Sequence, residues 1–301
     1  MDNTFEQKAI NLLRDIGLPV QPSILSEIQN EMANEYADFK KIAKLVKKDI
    51  SMSAMVIKVA NSPLFLGGGI ESIEQALNML GINNFYNIIL SVALKKKLSE
   101  IGISADFFEQ FWTHTETVAI ACMLLARKLK LPLEGYAYIC GMFHDCAVPL
   151  LTKRFETYNK VLKLALRTSH SVVDIENDTF KTNHCVASYV LAKSWNLPEP
   201  VCNAIRYHHR NDLDNYSNPI DRKLASLLIL SETIVYAGVM RHNAGKYEIE
   251  PPWNNISEQY LTVGLQLHND KRWTNILVEL NLDDEDVYHL QDAIFNRLSY
   301  E

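Results

Sequence analysis

Apolar side chains recur at intervals of three and four residues along most of this 301-residue chain. That spacing places them on one face of an amphipathic helix. The sequence lacks the Asn-Gly turns and alternating β-branched segments that are typical of hairpins. The pattern therefore predicts an all-α, multi-helical fold, with an N-terminal helical subdomain packed against a larger helical core.

Residues that start and stop helices divide the first hundred positions into short elements. Gly17, followed by Leu18-Pro19, ends a first helix, because glycine suits a left-handed C-cap and proline cannot continue the helix. Ser51 is a candidate N-cap for a helix over residues 52–60. Ser72 and Gln75 form a capping box, and Gly81 ends the helix that follows.

Longer helical patterns follow and define three predicted segments. We expect an N-terminal half over residues 1–100, a second half over residues 101–245 and a C-terminal extension over residues 246–301. Within the second half, the stretch from Tyr138 to Leu151 is apolar on nearly every side. Such a pattern predicts one helix buried all round.

Composition narrows the class of protein. With 48% hydrophobic residues the chain can bury a large core, and its net charge of -6 does not favour nucleic acid or an anionic membrane as a partner. The five cysteines contain no C-x-x-C pair and fall within apolar patterns, which indicates buried thiols in a reducing compartment. We found no signal sequence and no apolar run of the roughly 18 to 20 residues that span a bilayer, so we expect a cytoplasmic protein.

Metal-ligand residue types follow one another through the second half. Five of the nine histidines belong to this set. Burying a charged aspartate in so apolar a segment is costly unless it is paired or bound to metal, so Asp145 is the strongest argument for a site and the candidate catalytic carboxylate. Nitrogen and oxygen ligands together suit iron, manganese, zinc or nickel, and two such ions could activate a water for phosphoester hydrolysis. The set comprises His114, His144, Asp145, His184, His208 and His209.

Each of these residues alone also has a structural interpretation. His114 could be a hydrogen-bonded structural histidine, and His208 and His209 could stabilise the C-terminus of a helix. Cys185 follows His184 directly, but neighbouring positions on a helix do not face each other, which disfavours a cysteine nucleophile.

Several short motifs in order resemble the HDOD domain, the HD-related output domain of bacterial signalling proteins. The resemblance covers about residues 15 to 240, so both halves of the family pattern are present. The motifs are Leu18-Pro19, Lys48-Asp49, Val59-Ala60-Asn61-Ser62, Ile73-Glu74-Gln75-Ala76-Leu77, Phe111-Trp112-Thr113-His114, Gly141-Met142-Phe143-His144-Asp145, Asn183-His184, Ser194-Trp195-Asn196-Leu197-Pro198 and Ile205-Arg206-Tyr207-His208-His209.

This resemblance implies an HD-like helical core, a regulatory role in signal transduction and kinship with HD and HD-GYP phosphohydrolases. It also implies one metal ion held by His114, His144 and Asp145, and a second held by His184, His208 and His209, with Asp145 between them. The family's closing aspartate corresponds here to Glu232.

Departures from the HD-GYP pattern argue against hydrolysis of cyclic di-GMP. Those enzymes place a phosphate-binding lysine where this chain has Val148, and a Gly-Tyr-Pro loop where it has residues 210–214. We therefore favour a metal-binding regulatory module with a signalling partner. The alternatives are an active phosphohydrolase on a nucleotide or other phosphoester, with Lys181, Arg206 or Arg210 supplying the positive charge, and a metal-free interaction scaffold.

Overall fold

The computed structural model describes residues 2–62, 65, 68–165, 171–209, 216, 218–243 and 271–298. These residues form helices joined by turns, without any strand, so the prediction of an all-α fold is confirmed. The chain divides into two units, one formed by Pro19–Glu100 and the other by Met1–Leu18 together with Ile101–Leu298. The candidate site lies within the second of these units.

The unit of residues 19–100 contains α2 (Ser23–Met32), α3 (Phe39–Val46), α4 (Ile50–Ala60) and α5 (Ile73–Ser99). Buried apolar side chains of α2, α3 and α4 pack against α5 and form the core of this unit.

Side-chain caps set the starts of α3, α4 and α5. The prediction that Ser51 caps α4 is wrong: the Asp49 carboxylate accepts a hydrogen bond from the Met52 backbone N–H, so the helix begins two residues earlier than expected. The Ser72 hydroxyl accepts from the Gln75 N–H, as predicted. Gly81 has φ of 74°, and this left-handed residue kinks α5 where a helix end was expected.

α5 is long and apolar enough to cross a membrane by length and composition alone. In its most apolar 18-residue stretch, 56% is buried, and α2, α3 and α4 pack against the helix.

The other unit contains α1 and all the helices after residue 100. The first of its later helices are α6 (Ala105–Lys128), α7 (Glu134–Phe143), α8 (Val148–Arg154), α9 (Tyr158–Ala165) and α10 (Val172–Phe180). They are followed by α11 (His184–Ser194), α12 (Glu199–Tyr207), α13 (Pro219–Asn243), α14 (Lys271–Leu280) and α15 (Asp284–Leu298). α1 (Asp2–Ile16) packs on α8 and α11. The first 18 residues therefore group with the second half of the chain, although the predicted boundary placed them in the first.

α6 packs closely along α7, and α13 lies against both helices. Gly141 of α7 permits this approach, because a Cβ at that position would lie 2.4 Å from Cα of Ala119 on α6. All five cysteines are buried free thiols, as the sequence predicted.

Candidate metal centre

His144 and Asp145 lie in a turn and not on a continuous helix. The prediction of one helix from Tyr138 to Leu151 is wrong, since α7 ends at Phe143 and α8 begins at Val148. Pro149 explains the break: proline lacks a backbone N–H and clashes inside a helix, but it fits the first turn of α8. The backbone N–H of Ala147 donates to the Ser188 hydroxyl of α11, which fixes the turn.

Four side chains from three places in the fold meet around this turn. The His114 ring, on α6, lies 5.9 Å from the His144 ring, centroid to centroid. Glu232 on α13 places Oε1 3.5 Å from Nε2 of His144. We call His114, His144, Asp145 and Glu232 the first ligand group.

The ends of α11 and α12 supply a second cluster. Asn183 caps α11 by accepting a hydrogen bond from the Val186 N–H, which makes His184 the first residue of that helix. Its ring lies 5.5 Å from that of His208 and 5.0 Å from that of His209, at the end of α12. Together with Cys185 these histidines form the second ligand group, whose donor atoms all lie within 4.8 Å of one another.

The Asp145 carboxylate lies between the two groups. Its Oδ2 is 3.3 Å from Nε2 of His144, whereas its Oδ1 is 3.5 Å from Nε2 of His184 and 3.8 Å from Nε2 of His208. Thus each carboxylate oxygen faces a different group. The residues that the sequence singled out, including Glu232, are brought together around one aspartate.

Hydrogen bonds hold three of the imidazoles with Nε2 turned inward. Nδ1 of His144 lies 2.7 Å from the Gly141 carbonyl oxygen, and Nδ1 of His208 lies 2.7 Å from that of Ile205. A carbonyl can only accept, so each Nδ1 carries the proton and, in the neutral ring, each Nε2 keeps a lone pair for a ligand.

Glu176 holds the third imidazole and was not predicted. It is fully buried on α10, and its Oε2 accepts hydrogen bonds from Nδ1 of His184 at 2.7 Å and from the His184 backbone N–H at 3.0 Å. The Tyr158 hydroxyl donates to its other oxygen. A carboxylate behind a histidine orients the ring and raises its basicity, which is a common support for metal ligands. Its sequence neighbourhood carries no motif that marks it.

Cys185 also lies at the site, although from the sequence it was considered only as a nucleophile, a role that the sequence disfavours. Its Sγ lies 3.4 Å from Nε2 of His184. Neighbouring Cβ atoms on a helix do diverge, but the imidazole extends several bonds beyond its own Cβ, so its Nε2 reaches the adjacent thiol.

Opposing effects give the ligands different pKa values. Burial would lower the pKa of His144, but the charges of Asp145 and Glu232 outweigh it and raise that pKa to about 9. Burial likewise opposes the shift at His184, where the negative charges of Glu176 and Asp145, beside the buried Cys185 thiol, raise the pKa well above its usual value. Each group therefore contains one imidazole that holds a proton at neutral pH in the metal-free protein.

His114, His208 and Asp145 favour the protonation states that bind metal. Burial lowers the pKa of His114 to about 4 and that of His208 to about 3, so both rings are neutral at pH 7. Burial would raise the pKa of Asp145, but the positive charges of His144 and His184 hold it well below its usual value. Asp145 is consequently an anion at neutral pH.

The donor set fits a transition-metal ion. Two donors about 2.1 Å from one tetrahedral ion lie about 3.4 Å apart, and the contacts of His144 with Asp145 and Glu232 are 3.3 and 3.5 Å. Nε2 of His144 and Oδ1 of Asp145 are buried, and neither atom has a hydrogen-bond partner within the described part of the chain. Buried polar atoms normally have such a partner, so a ligand at this place would satisfy them.

The sequence suggested three cationic side chains that could supply positive charge to a phosphoester, and two of them lie within the described residues. Nζ of Lys181 donates to the Asp178 carbonyl of its own helix end. Arg206 forms an ion pair with Glu6 at 2.9 Å and lies over the Tyr189 ring. Arg210, like the segment that replaces the Gly-Tyr-Pro loop, lies outside the described residues.

A cavity of about 300 Å³ adjoins the second ligand group. Cys185, His209 and Arg206 line it on one side, and Phe5 of α1 and Asn177 of α10 on another. A small molecule in this cavity would therefore contact two members of the second group and a guanidinium.

Comparison with known protein families supports the resemblance that the sequence motifs suggested. The model of the HDOD domain family matches residues 18–211. The chain belongs to the HDOD domain family. The resemblance noted in the sequence is thus confirmed, and the match includes all the site residues except Glu232.

Two curated relatives share part of this HDOD chain. An uncharacterized protein of Treponema pallidum (strain Nichols) is 27% identical over 197 residues, which cover 64% of this chain and 37% of that protein. YuxH of Bacillus subtilis (strain 168) is 29% identical over 156 residues, which cover 52% of this chain and 37% of YuxH. The chain therefore spans little more than a third of the length of either relative.

Solved structures share the fold over nearly the whole chain. An HDOD domain protein from Geobacter sulfurreducens has a TM-score of 0.66 at 23% identity, with 98% of each chain covered. A protein from Shewanella amazonensis SB2B, provisionally named a phosphohydrolase, also has a TM-score of 0.66, at 20% identity, with 95% of this chain and 93% of that chain covered. At these identities the likeness establishes the fold alone.

Proposed function

We propose that this HDOD protein is a regulatory module of bacterial signal transduction with a pocket for one or two divalent transition-metal ions, of iron, manganese, zinc or nickel. The observation that carries the proposal is Asp145, whose two carboxylate oxygens face two different groups of imidazoles. His114, His144, Asp145 and Glu232 would hold one ion, and His184, His208 and His209 would hold the other. Such ions would supply Lewis-acid chemistry, neutralising phosphoryl charge and lowering the pKa of water.

The environment of Val148 favours regulation over cyclic di-GMP hydrolysis. This residue takes the place of the HD-GYP lysine, and it is only 2% exposed at the start of α8. An apolar side chain there gives a substrate phosphate no charged partner.

A signalling protein is the partner that we propose, in the cytoplasm and without nucleic acid or a membrane. The unit of residues 19–100 exposes large apolar side chains, with Val20, Tyr36 and Ile50 between 74% and 85% accessible. We propose this unit as the surface that contacts the partner, because covering these side chains would remove apolar area from water.

Metal analysis tests the proposal. Protein purified without chelator from metal-replete medium should contain one or two transition-metal ions per chain. Replacing Asp145 with asparagine, or His144 and Asp145 together with alanine, should remove them, whereas Glu285→Gln, an exposed change on α15, should not. A metal-free wild-type protein would contradict the proposal.

The cavity beside Arg206 favours a second function, that of a metal-dependent phosphohydrolase. Its guanidinium could bind a phosphate in place of the missing lysine charge. A screen of phosphomonoesters and phosphodiesters with added manganese or iron should then show turnover that Arg206→Ala reduces. Absence of metal-dependent turnover leaves the regulatory function as the better account.

Thermal unfolding distinguishes the two metal-dependent functions from the third alternative, a metal-free interaction scaffold. An ion that binds only the folded state should stabilise it by about 2.7 kcal/mol at a concentration one hundred times its dissociation constant. An unchanged melting temperature on adding metal would favour the scaffold.

A further inference from the structure

We propose that Cys185 is a thiolate ligand, which makes the second ligand group a sulfur-containing site for a thiophilic ion such as Zn²⁺. This inference rests on the metal pocket of the proposed function and adds a residue outside the predicted ligand set. On binding, a sulfur–metal bond would form and the thiol proton would pass to solvent.

The geometry of Cys185 matches that of a ligand. In a tetrahedral zinc site a nitrogen lies about 2.1 Å and a sulfur about 2.3 Å from the ion, which separates the two donors by about 3.6 Å. Sγ of Cys185 lies 3.4 Å from Nε2 of His184. The donors of His208 and His209 lie within 4.8 Å of both atoms, so one ion could contact all four.

The adjacent Asp145 is an independent indication of a ligand at this place. Its Oδ1 is buried, faces His184 and His208, and has no hydrogen-bond partner among the residues that the structure describes. A positive ion between this oxygen, the imidazoles and the thiol would satisfy it.

Three of the four other cysteines differ from Cys185 in what their thiols face. The thiols of Cys122, Cys146 and Cys202 point at backbone carbonyl oxygens of Leu227, Ser188 and Leu197. A thiol that faces a carbonyl acts as a weak donor within the core. Cys185 instead faces an imidazole nitrogen whose ring is held from behind by Glu176.

A thiolate changes which ion the group prefers. Soft sulfur ligands favour zinc over magnesium, calcium or manganese, which prefer oxygen. The first ligand group offers nitrogen and oxygen alone, so the two groups would differ in selectivity.

Cobalt titration tests the assignment. Co²⁺ added to the metal-free wild-type protein should produce the visible bands of a low-symmetry cobalt site together with a near-ultraviolet sulfur-to-cobalt charge-transfer band. Cys185→Ser should retain the visible bands and lose the charge-transfer band, and its Zn²⁺ affinity should fall at least tenfold, roughly the smallest loss seen for outer-shell changes. The matched control Cys146→Ser, whose buried thiol points at the Ser188 carbonyl oxygen, should keep both bands.

Each other result of the cobalt titration would contradict a specific part of the proposal. Visible bands without a charge-transfer band in the wild type, or a charge-transfer band that survives in Cys185→Ser, would overturn the thiolate ligand and leave the metal pocket intact. No cobalt bands at all would overturn both. X-ray absorption at the zinc edge of the wild-type protein needs no variant: it should show a sulfur neighbour at about 2.3 Å, and a shell of nitrogen and oxygen alone would refute Cys185 as a ligand even if Cys185→Ser does not fold.

Discussion

The two ligand groups use similar residues but are held in different ways. The first group depends on the packing of separate helices, since His114 comes from α6, His144 and Asp145 from the α7–α8 turn, and Glu232 from α13. The second comes from the ends of α11 and α12, where the Asn183 cap and Glu176 orient it directly. This comparison indicates that the packing of separate helices positions the first group, whereas hydrogen bonds from Asn183 and Glu176 orient His184 in the second.

Removing one ligand from each group should give the largest effects. We expect His114→Ala to release the ion of the first group on dialysis and His209→Ala to release that of the second, because each group would fall from four donors to three and the loss of one ligand weakens binding. Metal content after dialysis should fall by one ion per chain in each variant and reach zero in the double variant.

His289→Ala provides the control for that experiment, since this histidine is 71% exposed on α15. If either single substitution removed every ion, the two groups would be one cooperative site and the distinction between them would be wrong.

Glu176→Gln should affect the second group alone. The amide keeps the size of the side chain but loses the charge that supports Nδ1 of His184, and loss of such a partner typically weakens metal affinity about 10- to 100-fold. Competition with a chromophoric chelator would measure both affinities. Glu109→Gln, an exposed change on α6, is the matched control, and equal weakening of both groups would contradict local support by Glu176.

Periodicity and capping residues predicted most of the fold. The helices follow from apolar spacing, and the Ser72 cap and the Gly81 break lie where local chemistry requires them. The single helix predicted over Tyr138 to Leu151 was wrong because its apolar pattern hid the effect of Pro149. An apolar pattern alone does not distinguish one continuous helix from two helices joined by a turn. A proline within the pattern does mark such a break.

Only the principal ligands of the site could be predicted from the sequence. His144, Asp145 and the other histidines form motifs, and the structure brings them together as expected. Glu176 and Cys185 reach the site through the tertiary arrangement of α10 and α11. Glu176 contacts a residue on a different helix, and the contact of Cys185 with its neighbour depends on side-chain rotamers. Neither feature produces a recognisable spacing of residues in the sequence.

Gly141→Ala should destabilise the fold and should affect the first ligand group more than the second. The new Cβ would meet the Ala119 backbone at 2.4 and 2.7 Å, and backbone cannot move aside as a flexible side chain does. Forcing α6 from α7 should cost about 1–3 kcal/mol of unfolding free energy and should weaken metal binding by the first group more than by the second. Urea denaturation would measure the stability change, and an unaltered midpoint would show that the α6–α7 contact adapts.

The two groups should also differ in how their metal affinity depends on pH. Metal binds only the unprotonated imidazole, so apparent affinity falls as pH falls wherever a ligand must lose a proton. His144, with its pKa raised to about 9, must lose one, whereas His114, with its pKa lowered to about 4, is already neutral. Between about pH 6 and about pH 8 the first group should therefore gain about tenfold in affinity per pH unit.

The second group should have the steeper slope, because His184 must lose a proton and the Cys185 thiol would lose another. That adds about another tenfold per pH unit. Calorimetric titration in buffers of different ionisation enthalpy would count the protons released by each group, with the other group disabled by His114→Ala or His209→Ala. Cys185→Ser should reduce the slope of the second group to that of the first. Equal slopes in the wild-type groups would mean that Cys185 releases no proton when the metal binds, which would contradict the expected difference in slope.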